Sequence, residues 1–418
     1  MKKNAFTLVE LLAVIAILTI IMVISVPQLI TSLKNKKTDA LEKTKDLLIS
    51  AARNYVIDYE LKVPTSISIE TLCKNDYLEC PIKNPIDNSN LNGYVNVDDN
   101  KVYVYSDTRD YITIKDYIID LYNDESLRES NGLKKDNTVD TNIRYYGSDP
   151  NNYVSFNNEL WRIIGVFGNN VKLVRSESLG SLSWDSSESS VNNGYGVNQW
   201  GESTYEDGSS YEGADLQVYL NKMYYGGDTT ITCYGSTNNG TKTCPTGTID
   251  ETSKSLIDNH IWNTGAIENN TRTDTLAFYS AERGTKGKMC SSGTTCNDAV
   301  TRTTSWTGYV ALPYITDWAY ASSERICETN MQKQDSSNAY ICKNNNWMQR
   351  STVAWYLSPG AHGAYAPNAW NVGGDGYAGS NFVDGSFAVA PSIYLKSNVI
   401  IASGTGISSN PYILRSGA

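Results

Sequence analysis

Histidine is nearly absent: His260 and His362 are the only two among 418 residues. That restricts imidazole catalysis and leaves few nitrogen ligands for zinc. Basic charge is short too. Thirty-five Lys and Arg face 45 Asp and Glu, a net charge of −10, so there is no basic surplus to neutralise nucleic-acid phosphates. Charged residues of both signs reach only 19%. No P-loop, HExxH or GxSxG elbow occurs, and without a CxxC neither a zinc ribbon nor a thioredoxin-like site is supported. What the chain does have is uncharged-polar and aromatic: 29 Tyr and 9 Trp, with apolar residues at 40%. Cores can be built, and wholesale disorder is excluded. The length implies two or three domains.

Eight cysteines fall into four sequence-local couples, Cys73/Cys80, Cys233/Cys244, Cys290/Cys296 and Cys327/Cys342. Read as disulfides, each closes a short loop, contributes about 2–3 kcal/mol, and implies an oxidising, extracellular setting. Eight unrelated buried thiols is the other reading.

The N-terminus decides the class. Met1 to Ala5 is a short basic leader, and an apolar run then extends from Phe6 to Val26 before Pro27. As a helix this run spans about 32 Å, the thickness of a bilayer. A signal peptide would show a cleavage site after a shorter core, and Ser25-Val26-Pro27-Gln28 is a poor one. An ordinary anchor leaves Glu10 unexplained, since a carboxylate in hydrocarbon costs about 2.5–3.5 kcal/mol. Lys2 and Lys3 favour a cytoplasmic start, whereas Lys34, Lys36 and Lys37 oppose it. The cysteines place the chain beyond Pro27 outside.

Lys2-Lys3-Asn4-Ala5, Phe6-Thr7-Leu8-Val9-Glu10-Leu11-Leu12 and an apolar stretch closed by Pro27 resemble the N-terminus of type IV prepilins and pseudopilins. The resemblance implies that a prepilin peptidase cuts between Ala5 and Phe6 and that Phe6 is N-methylated. It implies too that the retained helix anchors the subunit and later packs a filament core. Glu10, fifth residue of the mature chain, would pair with the N-terminal amine of a neighbouring subunit, and Pro27 matches a helix-kinking proline. Ala5 departs from the Gly most members carry before the cut.

Beyond Pro27, Ile30, Leu33, Leu41, Leu48, Ala52, Tyr55 and Tyr59 form an amphipathic stripe, so one helix is expected to run from Phe6 to Leu61 and to stop before Pro64. A short helix over 67–72, beginning after Ser66 or Ser68, precedes alternating runs at 94–97 and 101–105 with hairpin spacing. Together with Asn84-Pro85 and Gly93-Tyr94-Val95, this order resembles the small globular part of Gram-positive pseudopilins and competence-type pilins. Asp98-Asp99 is expected to be a solvated turn rather than a calcium site, because no third carboxylate supports it.

The rest is different in kind. All nine Trp lie beyond residue 160. Strands are expected at 153–156, 160–166, 171–174, 387–389, 392–395 and 411–414, and a helix at 214–224. The charged, Asn-rich residues 116–140 read as a linker, with a short helical pattern at 117–127. Landmarks such as Leu160-Trp161-Arg162-Ile163-Ile164 and Trp355-Tyr356-Leu357-Ser358-Pro359 resemble an uncharacterised secreted domain of Gram-positive surface proteins, and the pattern is also similar to C-type-lectin-like and formylglycine-generating-enzyme-like folds. The aromatic, Asn-rich loop 358–386, with Tyr365, Trp370 and Tyr377, and Trp355 just before it offer a sugar- or protein-binding surface. His362 in that loop has no identifiable partner.

The expected whole is an α+β protein: leader 1–5; pilin-like module 6–115, with a transmembrane helix over 6–26 and a small antiparallel sheet; linker 116–140; and a large, mostly β, loop-rich extracellular domain 141–418. The expected role is a minor or tip subunit of a surface filament, single-pass in the cell membrane with its N-terminus cytoplasmic. Its expected partners are a prepilin peptidase, other pilin subunits and a glycan or protein ligand; nucleic acid is not expected on the C-terminal domain. No metal, cofactor or enzymatic activity is expected. The alternatives are a pseudopilin of DNA uptake or secretion, and a surface-tethered enzyme acting on envelope or host polymers.

Overall fold

A computed structural model describes residues 8–186, 196–205, 210–211, 213–235, 240–268, 274–284, 300–301, 303–335, 339–361 and 368–417, with backbone alone at 22–31, 203–205, 210–211, 268 and 300–301. The chain is α+β and divides into two compact units, 1–112 with 417–418, and 113–416.

In the first unit, helix α1 runs from Leu8 to Asp58. The amphipathic stripe is covered over only part of its length. Leu48, Ala51, Ala52 and Val56 are buried against Ile67, Ile69, Leu72, Val95 and Val97, while Leu33 and Tyr59, expected on the same face, stay exposed. Strand β1 (Thr65–Ser68) leads into helix α2 (Ile69–Lys74), whose first turn is closed by Ser68 Oγ accepting from Thr71 N at 2.9 Å. The N-cap is thus the second of the two serines expected to serve, and the helix starts two residues later than the 67 expected. Strands β2 (Tyr94–Val97) and β3 (Tyr103–Ser106) complete an antiparallel sheet in the order β1-β2-β3. At the hairpin tip Asp98 Oδ1 accepts from the backbone N–H of Asn100 and Val102 at 2.9 and 2.8 Å, so this carboxylate closes the turn.

The second unit corrects the expected linker. Residues 116–140 are not a tether. Helices α3 (Ile114–Asn123) and α4 (Glu125–Ser130) and strand β4 (Leu133–Lys135) occupy them. Ile114, Ile118 and Leu121 recur at helical spacing and, with Leu133, enter the main core. Strands β5 (Ile143–Tyr145), β6 (Tyr153–Phe156), β7 (Glu159–Phe167) and β8 (Asn170–Arg175) follow. They join a nine-stranded sheet that also contains Ser392–Leu395 beside β8 and Tyr412–Ser416 parallel to β6. A six-stranded sheet is built round Ala354–Ala361, Asn368–Val372 and Ala378–Phe382. Strands therefore occupy much of the expected loop 358–386. The helix expected at 214–224 is present as Asp215–Val218 continuing into a π-helical stretch, Tyr219–Tyr225.

Three of the four cysteine couples are disulfides: Cys73–Cys80, Cys233–Cys244 and Cys327–Cys342. Cys290 and Cys296 lie outside the described residues.

Candidate functional site

Two regions carry chemistry, the start of α1 and the interior and surface of the second unit. On α1, Leu8, Val9, Leu11, Leu12, Val14, Ile15, Ile17, Leu18, Ile20 and Ile21 are all exposed, from 76% at Leu8 to 45% at Val14. Apolar side chains point outward on every face, and among the described residues of this unit nothing covers them. A helix that is hydrophobic all round belongs in lipid or among other helices. Glu10 sits in its first turn, and Thr19 returns its hydroxyl to Ile15 O at 2.7 Å, satisfying a polar group where water would be scarce. Ala5 and Phe6 lie outside the described residues; at Pro27 the helical backbone continues, and its side chain is outside them. Among the described residues no helix is long and apolar enough to cross a membrane. The expected span, 6–26, is described only in part.

In the second unit the sequence reading missed a buried ionic network. Arg144 on β5 donates from Nε to Asp136 Oδ2 at 2.6 Å and from Nη1 to Asp317 Oδ1 at 2.7 Å. Lys172 on β8 reaches the other oxygen of Asp317 at 2.6 Å. Asp317 lies in the short helix Ile315–Tyr320, where it also accepts from Tyr314 N at 2.9 Å and so caps that helix. Asp136 further accepts from Thr138 Oγ1 and Asn142 Nδ2. Burial works to raise both aspartates, but Lys172 and Arg144 outweigh it at Asp317, and Arg144 does at Asp136, holding both below the usual carboxylate range. Burial brings Lys172 down to about 8 against the pull of Asp317.

Glu282, beside this network, behaves differently. It is fully buried at the end of the helix Thr275–Glu282. Its oxygens accept from Thr316 Oγ1 at 2.6 Å and Ser358 Oγ at 3.3 Å and face Arg283 Nη1 at 3.2 Å. Burial nonetheless pushes its carboxyl up to about 7. The network can hold charge and a proton, yet it is sealed from solvent and cannot admit a substrate as it stands. Only the lone charge in Val171-Lys172-Leu173-Val174 hinted at it in the sequence.

The expected aromatic surface is largely interior. Trp355 and Trp370 are 1% and 0% exposed, because both faces of their strands are covered; Trp355 packs on Trp184 and Phe387, and Trp370 on Phe278. Tyr377 is half-buried against Tyr340. Tyr365 and His362 lie outside the described residues. The other histidine, His260, is half-buried, stacks on Tyr394 and meets Asp258 Oδ2 at 3.0 Å. Burial lowers its pKa although Asp258 opposes this.

A polar groove of about 580 Å³ is lined by Glu202, Gln217, Val218, Lys222, Thr303, Ser305, Trp306 and Thr307. Trp306 is half-buried in the strand Ser305–Gly308 and meets Trp200 edge-on at 6.2 Å. A Cβ on Gly201 or Gly308 would run into its ring, so those two glycines make the room in which the indole lies. No charge-and-aromatic spacing in the sequence marked this groove, because its walls come from segments about a hundred residues apart.

Residues 1–26 match the family described as "Prokaryotic N-terminal methylation motif", so the N-terminus carries a type IV pilin-like prepilin signature. No curated protein matches the chain, and no solved structure does.

Proposed function

We propose that the chain is a minor or tip subunit of a type IV pilin-like surface filament. Its N-terminal helix serves first as a single-pass membrane anchor, with the N-terminus cytoplasmic, and then as the filament-packing element. The observation that carries this is the all-round apolar, exposed start of α1 within a methylation motif that covers residues 1–26. Expected processing is cleavage between Ala5 and Phe6 by a prepilin peptidase. Intact-mass and N-terminal peptide spectrometry of protein from the native membrane should find N-methyl-Phe6 as the first residue; a mature chain starting at Met1 would overturn the reading. Glu10→Ala should leave the chain anchored but drop its recovery in sheared filaments to background. If it instead abolished DNA uptake or secretion while adhesion persisted, the pseudopilin reading would take over.

The second unit is read as the ligand-binding, non-enzymatic part, and the Trp306 groove replaces the buried Trp355 and Trp370 as its surface. An indole platform beside Thr and Ser hydroxyls, an amide and a carboxylate suits sugar hydroxyls stacked over a ring, and the volume lies in the range of small-molecule sites. Trp306→Ala should weaken glycan-array binding of the detergent-solubilised full chain about tenfold, an increment of about 1.4 kcal/mol. Undiminished binding, or turnover of a polymer on the same array, would refute this assignment.

A further inference from the structure

Three arginines line one small recess that the filament and groove readings leave unused. Arg162, Arg175 and Arg350 line a cavity of about 50 Å³ with Ser176, Trp347 and Trp355, and no acidic residue lines it. Two of the cations are already matched. Arg162 holds Asp149 at 3.1 Å and Asn152 at 2.7 Å. Arg175 grips Glu159 through Nε and Nη2 at 2.8 and 3.1 Å. Arg350 is not matched in this way. It donates Nη1 to Ser176 O at 2.9 Å and Nη2 to Arg175 O at 3.0 Å. Both acceptors are neutral carbonyls, and among the described residues no carboxylate lies within ion-pair distance of it. Burial disfavours its charge, Tyr356 and Glu177 offset a part, and Arg175 adds repulsion. Beside it the Ser176 hydroxyl is buried with no hydrogen-bond partner.

A half-buried cation that no carboxylate pairs directly, next to an unused hydroxyl, is costly unless an anion completes it. The two carbonyl bonds fix the guanidinium in place, so little ordering remains to be done on binding. Size restricts the guest. A water needs about 10–15 Å³ of such space, so the recess takes roughly three to five water-sized atoms. That is the size of a carboxylate, sulfate or phosphate group, and too small for a sugar ring.

We propose that this recess is an oxyanion site, in which one carboxylate-, sulfate- or phosphate-sized group is held between Arg350 and Ser176 and faces Arg162 and Arg175. The fork of a guanidinium matches two oxygens of such a group. This site is independent of the groove at Trp306 and of any filament role.

The test uses the full chain in detergent, titrated with sodium sulfate, phosphate, acetate or glucuronate against sodium chloride at constant ionic strength. Trp347 and Trp355 line the recess, so tryptophan fluorescence and the thermal midpoint both report on it. At least one small oxyanion should bind saturably and raise the midpoint by roughly 2–4 °C at ten times its dissociation constant. Arg350→Gln should abolish that response. Ser176→Ala, which leaves every charge in place, should weaken it about tenfold. Saturation by glucuronate would assign the group to a larger acid whose carboxylate enters; saturation by inorganic ions alone would assign a free ion. If all four salts merely track chloride, or Arg350→Gln binds as wild type does, the site does not exist. Should Arg350→Gln fail to fold, unchanged affinity in Ser176→Ala overturns the proposal by itself.

Discussion

Asp317→Ala is expected to destabilise the second unit by about 3–5 kcal/mol. Deleting this carboxylate strands two cations at once. Lys172 Nζ and Arg144 Nη1 both end on it, at 2.6 and 2.7 Å, and neither side chain is more than 1% exposed. Arg144 keeps Asp136, but Lys172 keeps no carboxylate among the described residues and must either shed its proton or draw water inward. The helix Ile315–Tyr320 also loses its cap from Tyr314 N. The measurement is denaturant unfolding followed by tryptophan emission, which reports on the second unit alone because all nine Trp lie within 113–416. Pairing the change with Lys172→Met should recover part of the loss, since a removed cation no longer needs a partner. The deficit should hardly respond to salt, as buried pairs are poorly screened. A cost below about 1 kcal/mol, the range of exposed pairs, would mean that water reaches Asp317.

That network shows where the sequence stopped being readable. Local signals held. The stripe on α1 placed Leu48 and Ala52 in a core, Ser68 capped α2, and the strands expected at 153–156 and 171–174 fell on paired strands of one sheet. Each depends on neighbours within a few residues, where propensity, capping and period-two patterning act. Residues 116–140 read as a linker because charge and Asn outweigh the short stripe of Ile114, Ile118 and Leu121. What makes them structural is partners far away: Lys134 reaches Glu328 across 194 residues, and Ile118 and Leu121 join the core of Val399 and Tyr412. No local period records such a pairing. The same holds for Trp355 and Trp370. An aromatic loop and a strand covered on both faces have the same composition, and only the six-stranded sheet around them decides that they are core. Trp306, a residue with no special spacing, gained its half-exposed place from Gly201 and Gly308.

The arrangement also separates two kinds of dependence on surroundings. On the filament reading proposed above, the start of α1, apolar on every face, answers to lipid or to neighbouring helices. The second unit closes its own core, and Glu282 is one of the buried groups through which it answers to pH. Its folded-state value of about 7 against an ordinary 4.5 means that the native state holds a proton the unfolded chain releases. Below about pH 4.5 the group is protonated in both states and contributes no pH dependence. As pH rises from about 4.5 to about 7 the unfolded state gives up its proton first, so this group makes the unit progressively less stable. Above about 7 the penalty is complete, at about 3 kcal/mol. Glu282→Gln removes the titration while keeping an acceptor for Thr316. Its stability relative to wild type should therefore rise between pH 5 and pH 8 by about 2.5 kcal/mol, read from tryptophan-detected unfolding at both values. Arg283 is the counterweight, with Nη1 at 3.2 Å from Glu282 and Nε at 3.6 Å from Asp140. If Arg283 instead kept Glu282 ionised throughout, the variant would be the less stable protein at pH 8, and the relative curve would run flat or downward.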